Sequence, residues 1–284
     1  MALKTRPLSW PIGEEILDFD IREDHSEETI AELRDKVCNR GVLLFRNQDI
    51  TIQEHIKFTS YFGDQPFFPA LQRNLHPEDR RIWIVTNIRN EDGSESYTRN
   101  TGRIWHSDQS FMPEPCMGSL LHCKEMPPVG GDTMFANACV AYDQLSDGMK
   151  KLLEGKRAIH DLNQASVYKE RPPRTAEEEA QTPARSQPIF RTHPETGRKL
   201  IFVHPDVVTH IEGMTQEESR PILNYLAAQV SKVENTYRHQ WQVNDLLFWD
   251  NRCVQHYAPL DYDQSDRSNR RLMYRTTIAG TAAY

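Results

Sequence analysis

The chain reads as a mainly β protein with flanking helices, a β-sandwich or barrel of the jelly-roll kind. Three observations lead there. Short strand-like runs recur along the whole length, among them Val42-Leu43-Leu44-Phe45, Asp245-Leu246-Leu247-Phe248-Trp249 and Arg271 to Ala279. About four helical stretches interrupt them without a regular strand–helix alternation, which disfavours a doubly wound parallel sheet. Neither GxGxxG nor GxxxxGK[ST] occurs, so nucleotide folds have no support. Many short strands with irregular helices fit a closed or stacked antiparallel architecture.

Each element follows from local chemistry. Residues 26–40 form a helix capped by Ser26, with Ile30, Leu33 and Val37 on one face, and Gly41 stops it. Val42–Phe45 is a buried strand. Thr51 to Phe62 is a second helix, and Ile82 to Ile88 a strand. Residues 89–103 are polar and read as an exposed loop. Residues 118–123 and 132–137 are strands joined by the turn MPPVGGD, and 141–154 is helical. Residues 163–188 lack large apolar groups, so they bury little surface and read as a long mobile loop or lid. The turn HPETGR separates strands Ile189–Thr192 and Lys199–His204. Thr215 and Glu218 form a capping box for a helix through Val233. No linker or repeat divides the chain, so residues 1–284 are expected to be one domain, with 89–103 and 163–188 as lids.

Composition narrows the function. With 34 Lys and Arg against 41 Asp and Glu, the net charge is −7, and mean hydropathy is −0.70. There is no basic stripe for nucleic acid and no apolar run of about 18 residues for a membrane span. The five cysteines are scattered with no CxxC, which argues against a disulfide scaffold or zinc ribbon and for the reducing cytoplasm. The N-terminus has no signal-peptide core.

The eleven histidines carry the functional signal. On an extended segment, residues i and i+2 point to the same side, so His-x-Asp or His-x-Glu delivers two metal ligands together. Four pairs match: His25/Glu27, His76/Glu78, His106/Asp108 and His193/Glu195. The first sits at a helix start, where Glu favours the N-terminal dipole. The second and fourth lie in Pro-containing turns. Only Trp105-His106-Ser107-Asp108-Gln109-Ser110-Phe111 is flanked by apolar residues, and on its own this pair reads equally well as structural. Further on, Trp249-Asp250-Asn251-Arg252 is followed by His256 after a buried strand. Arg271, Met273 and Arg275 then share one strand face while Arg270 points away. Two arginines on such a face are costly unless they meet anions. Gly130-Gly131-Asp132-Thr133 is a tight turn into a strand. Glu177–Glu179 reads as solvated charge, His204, His210 and His239 as structural, and Cys253 lacks an activating base. No GxSxG supports a serine hydrolase.

In this order and spacing the pieces resemble the TauD/TfdA family of Fe(II)- and 2-oxoglutarate-dependent dioxygenases. The resemblance runs from GVLLFRNQ (41–48) through Ile278: WHxD, Thr133 within GGDT with 24 residues between it and Asp108, WDNRxxxH, and a basic strand. It implies a double-stranded β-helix (jelly-roll) core, Fe(II) held by His106, Asp108 and His256, and 2-oxoglutarate held at its distal carboxylate by Thr133 and Arg271. The interval from His256 to Arg271 holds 14 residues, one more than the family's usual maximum, and Arg270 would fit the count; the shared strand face selects Arg271. It further implies O2 as cosubstrate, succinate and CO2 as coproducts, and a hydroxylated product. Asp108 disfavours halogenation, because family halogenases lack that carboxylate. Arg275 would face the substrate's acid group or assist at the cosubstrate. Phe68 stands about where a taurine-binding member has a histidine, so taurine is disfavoured. Phe68 and Phe111 would wall the pocket, or simply pack in the core. The expected partner is a small organic acid, with neither nucleic acid nor membrane, and the family precedent includes homo-oligomers. Desaturation or cyclisation, a non-catalytic metal or acid sensor, and a zinc hydrolase with the same three ligands are the competing readings.

Overall fold

The structure, a computed structural model, describes residues 2–66, 73–164 and 174–284. Its centre is a seven-stranded sheet in the order Thr5–Pro7, Glu14–Ile16, Val42–Phe45, Leu246–Asp250, Gly118–Glu125, Leu272–Ile278, Trp83–Thr86. All neighbours pair antiparallel except Glu14–Ile16 with Val42–Phe45. Three smaller sheets accompany it. Thr133–Asn137 pairs with Thr236–His239 on one side and Val254–Tyr257 on the other. Arg157–His160 pairs with Val208–Ile211 and Arg185–Pro188, and Phe190–Thr192 with Lys199–Ile201. This is the jelly-roll architecture expected from the sequence.

Alternation along the central strands decides what each face buries. Leu43, Phe45, Leu120, Leu246, Phe248 and Ile278 face the helices Glu27–Arg40 and Ile52–Ser60, whose Leu33, Val37 and Phe58 close that core. Val42, Leu44, Leu121, Leu247, Trp249 and Met273 face the other way and pack with Phe135, Ala136 and Val254 of the smaller sheet. Each such side chain, fully buried, contributes about 1.5–3 kcal/mol. The same parity turns Ser119, Arg271 and Arg275 toward the inner face, alongside Leu121 and Met273.

Both early helices begin as their caps require: Ser26 accepts from the Thr29 amide, and Thr51 forms a capping box with Glu54. Thr215 and Glu218 do the same for Gln216–Val230. Three expectations need correction. The single helix at 141–154 is two, Ala138–Asp143 and Asp147–Leu153, because Asn137 and Ser146 each supply an N-cap. The 163–188 stretch contains a capped helix, Ala176–Ala180, and the strand Arg185–Pro188, which is held by pairing and not by apolar burial; residues 165–173 lie outside the described residues. In the 89–103 loop only the first part is exposed. Ser96 and Thr98 are buried, and Asn74 Nδ2 donates to their hydroxyls at 2.8 and 3.1 Å. The cysteines are all free and buried, and no helix among the described residues is long and apolar enough to cross a membrane.

Both glycines of the GGDT turn have positive φ, and Gly130 has the tighter surroundings. Gly130 has φ +78°, and a Cβ there would meet the Asp261 carbonyl oxygen at 2.3 Å. Gly197, at φ +70°, has open space around it. Gly130→Ala is therefore expected to cost about 2–3 kcal/mol, against about 1 kcal/mol for Gly197→Ala, which carries only the backbone penalty. Urea unfolding of both variants measures the difference; equal costs would place the clash elsewhere.

Candidate metal centre

Two ligand-bearing segments meet through a single β-bridge. His106 N–H donates to the His256 carbonyl at 3.1 Å, and His256 N–H to the His106 carbonyl at 2.8 Å. The ring centroids are 4.1 Å apart. His106 Nδ1 lies 2.7 Å from the Ile104 carbonyl, which can only accept, so the proton sits on Nδ1 and the Nε2 lone pair is free. The turn after His106 brings Asp108 round so that its Oδ1 lies 3.9 Å from both His106 Nε2 and His256 Nε2. The three ligand atoms all fall within 4.8 Å of one another.

Electrostatics prepares this set for a cation. Burial works to raise the Asp108 pKa, but the charge of Arg275, helped by the Ser119 hydrogen bond, outweighs it and holds the carboxyl well below its usual range. Burial holds His256 neutral. A neutral imidazole pair with an ionised carboxylate is the protonation state a divalent metal requires. The donor set therefore fits a metal bound on one face by two nitrogens and one oxygen.

The carboxylate is fixed from behind. Asp108 Oδ2 accepts from Ser119 Oγ at 3.0 Å. Asn251 Oδ1 accepts from the Asp108 amide at 3.2 Å and from Trp249 Nε1 at 2.9 Å, while its Nδ2 donates to Ser119 Oγ at 3.0 Å. Oδ1 is left for the cation and for Arg275 Nη1 at 3.0 Å. The Arg275 guanidinium lies over the Trp83 ring, 4.2 Å from its centroid. Asn251→Ala should weaken divalent-metal affinity by about 10–100-fold while the fold persists, as loss of a ligand-orienting partner does. Competition for Mn(II) against a chelator measures it; unchanged affinity would remove Asn251 from the ligand's support. Sequence reasoning quoted Asn251 within WDNR without giving it a role, and passed over Ser119, whose parity with Leu121 and Cys123 marks it as inward-facing.

The other expected residues are placed as follows. Thr133 is buried, and its Oγ1 accepts from Trp241 Nε1 at 2.9 Å. Arg271 is buried too; its amide donates to Asn87 Oδ1 at 2.8 Å and its Nε to the Gly131 carbonyl at 3.1 Å. Arg270 points out and pairs with Glu125. Phe111 packs with Leu162 and Val207 in a small satellite core. Phe68 lies outside the described residues. The rejected pairs do not converge with His106, Asp108 and His256. His76 Nδ1 accepts the Glu78 amide, His193 Nδ1 accepts the amides of Glu195 and Thr196, and His25 stacks on Phe19. His239 bridges Tyr237 and Asp245, His210 bonds Thr209, and His204 packs edge-on against Phe202.

Cys38, His193 and Asp250 also converge. A guanidinium already serves that cluster: Arg252 donates to both Asp250 oxygens at 2.9 and 2.6 Å, contacts Cys38 Sγ at 3.2 Å, and pairs with Glu195. Burial, then the Asp250 charge, push the Cys38 thiol up to about 12, which disfavours a thiolate ligand.

A jelly roll carrying a buried two-histidine, one-carboxylate face is the architecture of non-haem Fe(II) oxygenases. The chain belongs to the TauD/TfdA family: the sequence model of the taurine catabolism dioxygenase TauD, TfdA family matches residues 4–277. It is 32% identical to an alpha-ketoglutarate-dependent 2,4-dichlorophenoxyacetate dioxygenase of Cupriavidus pinatubonensis over 98% of both chains. It is 30% identical to an alkylsulfatase of Acinetobacter baylyi over 98% of this chain and 85% of that one. The crystal structure of AAD-2 in complex with Mn(II) and N-oxalylglycine superposes with a TM-score of 0.89 at 28% identity, covering 100% of this chain and 99% of the other. The protein is thus an alpha-ketoglutarate (2-oxoglutarate)-dependent dioxygenase that uses Fe(II), 2-oxoglutarate and O2.

Proposed function

We propose that His106, Asp108 and His256 hold Fe(II), that Thr133 and Arg271 hold the distal carboxylate of 2-oxoglutarate, and that the enzyme hydroxylates a small organic acid. The convergence of His106 Nε2, Asp108 Oδ1 and His256 Nε2 on a face that also carries Arg271 and Arg275 supports this reading most. Bound iron, with 2-oxoglutarate and O2, supplies the oxidising power, and 2-oxoglutarate leaves as succinate and CO2. The chain's own residues position and desolvate. Ser119 and Asn251 keep Asp108 oriented through one oxygen. Arg271, with its Nη atoms unspent on the protein, receives the cosubstrate's far carboxylate. Arg275 has a buried Nε without an acceptor and donors left over from its bond to Asp108, so it can meet the substrate's anionic end. Phe111 and Phe68 would border the substrate's apolar body. The 2,4-dichlorophenoxyacetate relative supports a carboxylate on an aromatic body, and the alkylsulfatase relative an anionic head on an aliphatic one. Five free, buried cysteines support a cytoplasmic setting.

The test begins with an anaerobic titration of apo-protein with Fe(II) and then 2-oxoglutarate, following the weak visible charge-transfer band of the bidentate complex. The band should appear in the wild type and be lost in His106→Ala. A panel of aryloxyalkanoates, alkyl sulfates and alkyl sulfonates is then screened for succinate formation. A product heavier by one oxygen supports hydroxylation; a product lighter by two hydrogens replaces it with desaturation. Exclusive turnover of sulfates or sulfonates would refute the carboxylic acid.

A further inference from the structure

Two guanidinium groups open on one cavity, and neither has a carboxylate in salt-bridge reach among the described residues. Arg271 spends its Nε on the Gly131 carbonyl, and its Nη atoms have no acceptor among the described residues. Arg103 donates from Nη1 to the carbonyls of Ala258 and Pro259 at 2.9 and 2.6 Å, and its Nε is buried without an acceptor. Both side chains line a narrow, part-open cavity with Gly131, Asp132 and Tyr262. Asp132, which borders the same cavity, and Asp261 both accept from Arg238, at 2.6 and 2.7 Å, so both carboxylates are already paired. Two partly desolvated cations facing one another without a counter-ion are unfavourable, and an anion between them relieves both desolvation and repulsion. A carboxylate suits the place, because guanidinium groups offer paired donors in its own planar geometry.

We propose that Arg103 is a second guanidinium for the distal carboxylate of 2-oxoglutarate, which is clamped between Arg103 and Arg271. The proposal rests on the reading of Arg271 given above. The placement also ties the cosubstrate to the ligands. Arg103 lies three residues before His106, and the carbonyls it holds belong to the second and third residues after His256. An anion on Arg103 therefore bears on both segments that carry the histidines.

The test is calorimetric binding to the Mn(II)-loaded protein, with N-oxalylglycine as the full-length probe and oxamate as the same molecule without its carboxymethyl arm. Arg103→Met is expected to weaken N-oxalylglycine by about tenfold, the value of one charge-assisted contact, and to leave oxamate and Mn(II) binding unchanged. Equal weakening of both probes would reduce Arg103 to a clip on Ala258 and Pro259 and overturn the proposal, as would no weakening of either. Arg271→Met separates the two layers. If it fails to weaken N-oxalylglycine, the assignment of the cosubstrate site falls and the clamp with it. If it weakens N-oxalylglycine while Arg103→Met does not, only the clamp falls. Should Arg103→Met not fold, Arg103→Lys decides the matter: it keeps charge but not the planar fork, and a loss of about threefold confined to N-oxalylglycine is expected.

Discussion

Asp108→Ala should abolish 2-oxoglutarate turnover, by at least about a thousandfold, since each 1.4 kcal/mol lost at the transition state is a factor of ten. The substitution removes the only anionic member of the ligand set and leaves two neutral imidazoles, which hold a divalent cation poorly. It also strands a charge. Arg275 is 7% exposed and its only carboxylate partner among the described residues is Asp108, at 3.0 Å. Removing one partner of a buried pair costs about 3–5 kcal/mol. The variant is therefore expected to lose stability as well as metal. Asp108→Asn keeps the shape and an acceptor while removing the charge, so the losses it shares with Asp108→Ala belong to the missing charge and the excess in Asp108→Ala to the missing side-chain atoms. Succinate release, Mn(II) affinity and thermal midpoints of both variants check this. Near-wild-type turnover in Asp108→Ala would show that the metal lies elsewhere.

Arg252→Met is expected to give the larger purely structural effect, about 3–5 kcal/mol of unfolding free energy at pH 7. Asp250 is fully buried, and Arg252 meets both its oxygens while His193 Nε2 donates at 3.0 Å. Burial works to raise the Asp250 pKa, but the charge and hydrogen bonds of Arg252 dominate and hold it well below the usual carboxylate range. A carboxyl whose folded pKa is depressed contributes stability above its unfolded value, about 3.9, and loses it as pH falls toward the folded value. The deficit of Arg252→Met should thus be full at pH 7 and shrink on acidification below about pH 4. Glu195, lowered to about 2 against burial by hydrogen bonds from Arg34 and Arg252, follows the same sign. Urea unfolding at pH 7 and pH 3.5 tests it. A deficit under about 1 kcal/mol at pH 7, or one that grows in acid, would contradict the account. Because Asn251 follows Asp250 directly, the variant should also loosen the support of Asp108.

How far the sequence carried these conclusions depended on where each signal lay. Leu246–Asp250 and Val42–Phe45 were legible because both their faces are buried, and a continuous apolar run states that directly. Arg157–His160, Val208–Ile211 and Thr236–His239 were not. Each is four residues with polar members, and each exists only through its partners. The three proposed ligands were legible through the joint order of WHxD, GGDT and WDNRxxxH, although His-x-Asp/Glu alone occurs four times. Their supports were hidden by distance along the chain. The Asn251 contact to Ser119 spans 132 residues and the Arg275 contact to Asp108 spans 167. The substrate side was least legible, since the position given to Phe68 falls in a stretch whose sequence only suggests a wall.

The two-rung bridge between His106 and His256 has a consequence for how such a protein can change. The ligand spacing is set by backbone pairing across two short segments, not by the length of chain between them. Insertions and deletions in the loops among the 149 intervening residues can therefore remodel part of the cavity wall without altering the bite of the proposed chelate, provided the rungs, Asp108 and its supports survive. Specificity and metal chemistry are mechanically uncoupled. That separation lets one scaffold serve anions with quite different bodies while the oxidising centre is inherited unchanged.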